Sequence, residues 1–194
     1  MAKAKLRCPW SEGGSELMAA YHDAEWGVPV HDDRKQFEFL TLESAQAGLS
    51  WAIVLNKREG NRRAFVDFDP EKVARFTDKR AERLMGDEGI VRNRLKIMAA
   101  IKNARLFLDV QEEFGTFDKY IWGFVDGRPI QNGLKSIKDV QATSKESDAL
   151  SKDLKQRGFK FVGSTIMYAH MQAVGMVNDH LVTCFRHKVV SRMK

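Results

Sequence analysis

Residues 92–115, RNRLKIMAAIKNARLFLDVQEEFG, set the fold class. Leu95, Met98, Ala99, Lys102, Leu106 and Val110 recur at three- and four-residue intervals, the spacing of one helix face, and Gly115 stands where such a helix would stop. Helical punctuation continues on both sides. Upstream, Asp69-Pro70-Glu71 reads as an N-cap, a first-turn proline and an acid, opening a helix through Val73 and Phe76, and Thr77 or Asp78 caps the next one. Downstream, Thr116 caps a short aromatic helix, Asp126-Gly127-Arg128-Pro129 makes a turn, and a last pair of helices is separated between Gly158 and Gly163. Alternating β-branched runs are scarce, so the expected architecture is all-α, with roughly eight to ten helices of ordinary length. The polar stretch from Gln131 to Lys145 is expected to be a mobile surface segment. No repeat or linker divides the chain, so residues 1–194 are read as one compact helical unit, with 1–7 and 187–194 as expected disordered tails.

Bulk composition narrows the function classes. The 194 residues are 43% hydrophobic, enough for a core, and no apolar run or leader-like start points to a membrane or to export, so the default address is the cytoplasm and the default state a monomer. A net charge of +6 favours an anionic partner such as nucleic acid. The two cysteines, Cys8 and Cys184, lie near opposite ends of the chain, which excludes a disulfide-dense scaffold and a CxxC redox motif.

Those cysteines have histidine companions. Cys8 and His22 near the start, with His180 and Cys184 near the end, have the composition of a closed structural zinc site, and the four-residue step from His180 to Cys184, on a helix or turn, lets both side chains face one ion. The competing reading makes Cys184 a small buried hydrophobe and the histidines ordinary. His170, among Ile166, Met167, Ala173 and Val174, reads as a hydrogen-bonded core histidine.

A carboxylate stands in an awkward place. In QFEFLTLESAQAGLSW, residues 36–51, Glu43 falls one turn after Phe39 and Leu40 and one turn before Ala47. An unpartnered buried carboxylate costs several kcal/mol, so Glu43 must reach water at a helix edge, pair with a base, or line a polar pocket. Gly48 and Leu49 then break the helix in a layout suited to a wedge entering a base stack, or to simple core packing. In AYHDAEWGVP, residues 20–29, Tyr21, His22 and Trp26 crowd around two acids, either as a structural aromatic cluster or as walls for a flat cationic ring. Residues 81–102, AERLMGDEGIVRNRLKIMAAIK, read as helix, turn at Gly86–Gly89, and a second helix opening near Arg92. This resembles a helix-hairpin-helix whose second helix start would hold a phosphate, with Arg92, Arg94 and Lys96 supplying charge, although a plain helical turn with a solvated basic face reads equally well.

Taken together, AYHDAEWGVP, LESAQAGLSW, DEGIVRNRLKI, SDALSKDLKQRGFKFVGSTI and MVNDH resemble the DNA-3-methyladenine glycosylase I family of constitutive bacterial alkylation-repair enzymes, in order and from Cys8 to about Cys184. The resemblance implies a helix-hairpin-helix glycosylase fold and one structural zinc ion per chain on Cys8, His22, His180 and Cys184. It implies Glu43 as the base-recognising and catalytic carboxylate, Tyr21 and Trp51 as pocket walls completed by Trp10 and Trp26, and Gly48 and Leu49 as the loop that probes DNA. Gly89, Arg92 and Arg94 are the expected backbone contacts. The implied reaction is monofunctional hydrolysis of 3-methyladenine from alkylated double-stranded DNA, leaving an abasic site. Ser44 and Ala45 depart from the family's glycine and glutamine, and His170 from its aromatic residue.

Overall fold

The computed structural model describes residues 5–193; residues 1–4 and 194, parts of the two expected tails, lie outside the described residues. Helices dominate. Ser15 caps α1 (Glu16–Ala24) and Asp32 caps α2 (Asp33–Gln46), each accepting from a backbone N–H three residues on. After the turn at Ala47–Ser50 come α3 (Trp51–Asn56) and α4 (Arg58–Ala64). Asp69 caps α5 (Pro70–Ala74) and Thr77, not Asp78, caps α6 (Asp78–Leu84). Asn93 caps the long α7 (Arg94–Phe114), and Gly115 ends it at φ +87°, a backbone angle that a side chain would strain. Then follow α8 (Phe117–Trp122), capped by Thr116, α9 (Lys145–Arg157), α10 (Ser164–Ala173) and α11 (His187–Val190). Eleven α-helices among the described residues exceed the expected number because several are single turns. No helix is long and apolar enough to cross a membrane.

Three expectations need correction. The buried face of α7 is Ile97, Ala99, Ala100, Ile101, Asn103, Ala104, Phe107 and Val110, packed against α5, α2, α6 and α8, so that of the residues at helical spacing Ala99 and Val110 are buried whereas Leu95 is 71% exposed. The helix carries apolar residues on two faces, and the larger aliphatic side chains do not mark the inner one. The segment 131–145 is tied down: Ile130–Gln131 pairs in parallel with Val177–Asn178, Ser136 and Asp139 form a capping box around a 3₁₀ turn at Ile137–Asp139, and Val182 N–H donates to the Leu134 carbonyl. Finally, 187–193 is not a loose tail, since α11 buries Val190 completely, and Arg7 is held by Asp23 at 2.7 Å.

The core joins the two halves of the chain. Gly175 lies at φ +73° so close to Val28 and Pro29 that a Cβ would overlap their backbone, and Gly27 and Val30 N–H donate to the Gln172 and Val174 carbonyls. The α1–α2 connection is thus fastened to the end of α10, and the last turn of α2 faces α10 across a cavity.

Candidate active site

Glu43 opens the last turn of α2, a helix that buries Phe37, Phe39, Leu40 and Leu42 together with the polar Gln36, Glu38, Thr41 and Ser44. Its carboxylate is 3% exposed, Oε2 has no hydrogen-bond partner, and burial raises its pKa to about 8. Glu43 neither reaches water nor pairs with a basic side chain: it lines a cavity of about 300 Å³, walled mostly by apolar side chains rather than by the polar ones expected.

Aromatic side chains form the cavity wall. Tyr21 comes from α1, Trp51 from the first turn of α3, and Trp10 and Trp26 from the segments flanking α1. The Tyr21 and Trp51 ring centres are 5.3 Å apart, Trp10 and Trp26 5.0 Å, and Trp10 and Tyr21 6.4 Å. The indole N–H groups of Trp10 and Trp51 are buried without an acceptor. An unpartnered carboxylate oxygen and two unpartnered donors around one apolar hollow are expensive to keep unless a ligand satisfies them. All five residues expected at a base pocket therefore meet in one place.

Others join them that sequence reasoning missed. Gln46 lines the cavity one turn beyond Glu43 on the same face of α2, a spacing that was available as a signal. Asp179 lines the far side and accepts from Tyr168 Oη at 2.9 Å, Gln172 Nε2 at 2.7 Å and Asn132 Nδ2 at 2.6 Å. Ile137 and Val140, in the segment expected to be mobile, form part of the rim, with Ile137 47% exposed.

Behind the aromatic wall, Cys8, His22, His180 and Cys184 converge, all buried, with ligand atoms within 4.8 Å of one another. Tetrahedral Zn–S and Zn–N bonds of about 2.3 and 2.0–2.1 Å would set sulfur and nitrogen about 3.5 Å apart. Cys184 Sγ stands 3.5 Å from His22 Nε2 and 3.6 Å from His180 Nδ1, and Cys8 Sγ 3.7 Å from His180 Nδ1. The second nitrogen of each histidine has a partner: His22 Nδ1 lies 2.9 Å from Asp23 Oδ1, and His180 Nε2 3.0 Å from the Trp26 carbonyl. Those partners turn a lone pair of each ring inward, as metal-binding histidines require. Leu181 N–H and Arg186 N–H donate to the two sulfurs. The donor set fits a tetrahedral metal ion with no position left open.

The expected DNA-facing residues are more dispersed. Gly48, at φ +76° with open space around it, makes the turn, and the Leu49 N–H closes it on the Gln46 carbonyl. Leu49 is half-buried over α10 near Thr165, Ile166 and Ala169, between the two alternatives of a free wedge and a core residue. On the hairpin, Arg92 is 54% exposed 3.7 Å from Glu88, and Arg94 is 56% exposed and paired with Glu82. Gly89 N–H is taken by Asp87 Oδ1 at 2.8 Å, and Gly89 packs so tightly on Gly60 of α4 that a Cβ there would overlap it. Lys96 does not face solvent as a phosphate contact: its ammonium donates to the Ala45 and Ala47 carbonyls, each at 2.7 Å. Ser44, one of the departures from the family pattern, donates to the Phe161 carbonyl at 3.2 Å, and His170 is fully buried with Nε2 3.1 Å from Gln36 Oε1, a hydrogen-bonded core histidine as expected.

The sequence profile of the methyladenine glycosylase family matches residues 10–187. The chain is 49% identical over 178 residues to DNA-3-methyladenine glycosylase 1 of Escherichia coli (strain K12), covering 92% of this chain and 95% of that one. A crystal structure of 3-methyladenine DNA glycosylase I superimposes with a TM-score of 0.89 at 49% identity, covering 93% of this chain and 98% of the other. A variant of 3-methyladenine DNA glycosylase I in complex with 3-methyladenine superimposes with a TM-score of 0.89 at 36% identity, covering 92% and 96%.

Proposed function

Because the chain belongs to the DNA-3-methyladenine glycosylase family, hydrolases acting on N-glycosyl bonds, we propose that it extrudes 3-methyladenine from alkylated double-stranded DNA into the Glu43 cavity and releases the base by hydrolysis. The observation that carries this reading is the buried, unpartnered Glu43 Oε2 among unpartnered indole donors. Methylation at N3 makes adenine a cation. Such a ring gains from stacking on the aromatic wall that Tyr21 and Trp51 form, and an ionised Glu43 complements its charge and accepts from its amino group. A cavity of about 300 Å³ sits at the small end of ligand pockets, which suits one base with its sugar left at the mouth.

The cationic base is already a good leaving group, so strong acid catalysis is not needed. The C1′–N9 bond breaks with its electron pair going to the base, which departs neutral, and water bonds to C1′ of the oxocarbenium-like sugar and yields a proton to solvent. The product is an abasic site in an uncut strand, and the enzyme acts as a monomer. Leu49 fills the gap left in the stack, while the Gly86–Gly89 turn, Arg92 and Arg94 hold phosphates in the manner of a helix-hairpin-helix. Surface ion pairs such as those with Glu88 and Glu82 are weak, so both guanidinium groups can exchange a carboxylate for a phosphate.

Cys8, His22, His180 and Cys184 would hold one zinc ion, which when bound supplies cross-linking of the chain ends rather than an activated water. The test is chromatographic release of free bases from methylated duplex DNA by the parent protein beside Glu43→Gln. Release of 3-methyladenine by the parent, with 7-methylguanine retained and the variant silent, supports the assignment. Equal release by both proteins removes Glu43 from the mechanism, and no release by folded, zinc-replete parent refutes the function.

A further inference from the structure

The turn that carries Leu49 is held from outside by one side chain. Helix α2 ends at Gln46, leaving its last carbonyls without intrahelical partners. Lys96, in the first turn of α7, reaches across and donates to two acceptors there, Ala45 O and Ala47 O, both at 2.7 Å. A cation at this end also suits the negative end of the α2 dipole. The backbone of the same residue is fixed, since Lys96 N–H donates to Asn93 Oδ1 at 3.1 Å in the cap of α7. Lys96 thus bridges the segment bearing Arg92 and Arg94 and the segment bearing Gly48 and Leu49, which are otherwise more than 40 residues apart in sequence.

We propose that Lys96 is a positioning residue that sets the Leu49 turn against the 86–94 hairpin, so that phosphates gripped by the hairpin and the gap entered by Leu49 stay in register. This inference rests on the glycosylase reading above and adds to it a residue that touches neither base nor phosphate. Partial burial lowers the Lys96 pKa. Its ammonium is already committed to two carbonyls, which is why a basic residue at a helix start does not face the DNA here. Without it, Ala45 and Ala47 lose this donor, and among the described residues the Leu49-to-Gln46 hydrogen bond and the Ser44 bond to the Phe161 carbonyl remain to hold this end of α2.

The test uses full-length, metal-replete protein and compares parent, Lys96→Met, Lys96→Arg, Leu49→Ala and the Lys96→Met/Leu49→Ala double variant. Single-turnover excision from methylated duplex DNA and affinity for free 3-methyladenine are read side by side. A displaced positioning group lowers the rate of an otherwise intact site by about 10- to 100-fold. Lys96→Met is expected to fall in that range on duplex while binding the free base within about threefold of parent, because the Tyr21–Glu43–Trp51 walls remain. Lys96→Arg, which keeps two donors, is expected to recover part of the loss. In the Leu49→Ala background, Lys96→Met should cost little further, since residues acting through one another do not add. Parental excision by Lys96→Met, additive losses in the double variant, or an equal loss of free-base affinity would each overturn the proposal. If Lys96→Met does not fold, Lys96→Gln is put through the same comparison. A parent silent on duplex DNA overturns the glycosylase reading itself, whereas an active parent with an indifferent Lys96 overturns only this inference.

Discussion

Replacing Glu43 by glutamine should stabilise the protein while sharply lowering its activity, and the two effects have one cause. Burial holds the Glu43 carboxyl at about 8 in the fold, against an ordinary 4.5. An acid whose folded pKa lies above its unfolded one keeps its proton in the fold while the unfolded chain loses it. Stability therefore falls as pH rises from about 4.5, and the fall is complete above about 8. At 1.36 kcal/mol per pKa unit, the loss from ionisable Glu43 is about 1 kcal/mol at pH 5, about 3 at pH 7 and about 5 at pH 9. Glutamine has the same shape and no titration, so urea unfolding at these three pH values should show the variant gaining on the parent by those amounts. The 3-methyladenine cation carries a fixed charge, so kcat/KM of the parent on methylated duplex should rise roughly tenfold per pH unit until about pH 8, as Glu43 ionises. Loss of the carboxylate is expected to lower excision by about 10²–10³-fold at pH 8, the range seen when one preorganised electrostatic group is removed. A stability gap between variant and parent that stays constant from pH 5 to 9 would refute the claim that Glu43 is held in the cavity at a cost to the fold.

Cys184→Ser should lower bound zinc per chain and the melting temperature together, as measured by elemental analysis and calorimetry; unchanged zinc content would remove the metal assignment. Arg92→Ala and Arg94→Ala should each reduce the slope of log affinity against log salt for duplex DNA by about 0.9 if each releases one phosphate contact, with little effect on free-base binding. Gly60→Ala should destabilise the fold by about 1–3 kcal/mol, because its Cβ would overlap the Gly89 carbonyl, and should also weaken duplex binding. A Gly60→Ala protein with parental melting and parental DNA affinity would show that the hairpin does not depend on its seat on α4.

What the sequence made legible was local or compositional. The caps at Asp69, Thr77 and Thr116 and the stop at Gly115 follow from side-chain chemistry within a few residues, and each stands in the structure. Glu43 was conspicuous because a carboxylate among Phe39, Leu40 and Leu42 breaks a pattern that burial should enforce. What periodicity could not supply was which apolar residues of α7 turn inward, since that depends on the partners it meets: of those at helical spacing Ala99 and Val110 are buried and Leu95 is exposed. Nor could it show that Lys96 points inward at carbonyls 49 and 51 residues away. Cys8 and His22 illustrate the same limit, because only tertiary closure brings them to His180 and Cys184, 172 residues from Cys8 in one contact. Asp179 is hidden for a related reason: two of its donors, Tyr168 and Gln172, lie one turn apart on α10, and the third, Asn132, comes from a segment 47 residues before it.

The positions of the Cys/His cluster and the cavity explain how a closed metal site would serve the proposed base pocket beside it. Cys8 lies two residues before Trp10 and itself lines the cavity, His22 follows Tyr21, and His180 follows Asp179 and precedes Leu181. The Trp26 carbonyl that orients His180 belongs to the residue whose indole packs edge-on to Trp10 at 5.0 Å. Three of the four aromatic walls are therefore within two residues of a ligand or bonded to one, whereas Trp51 and Glu43 are set by α2 and α3. A metal ion that fixes Cys8, His22 and His180 fixes one side of the base pocket relative to the other, where a displacement of even about 1 Å matters to a reaction that depends on stacking and charge complementarity. Removing the metal should accordingly weaken binding of free 3-methyladenine before it disturbs the α6–α7 hairpin, whose supports on α4 and at Lys96 are independent of the cluster. Free-base affinity and the salt slope on undamaged duplex, measured on the same chelated sample, separate the two: loss of the first with retention of the second is the expected result, and parallel loss of both would mean that the cluster supports the whole fold rather than the pocket wall.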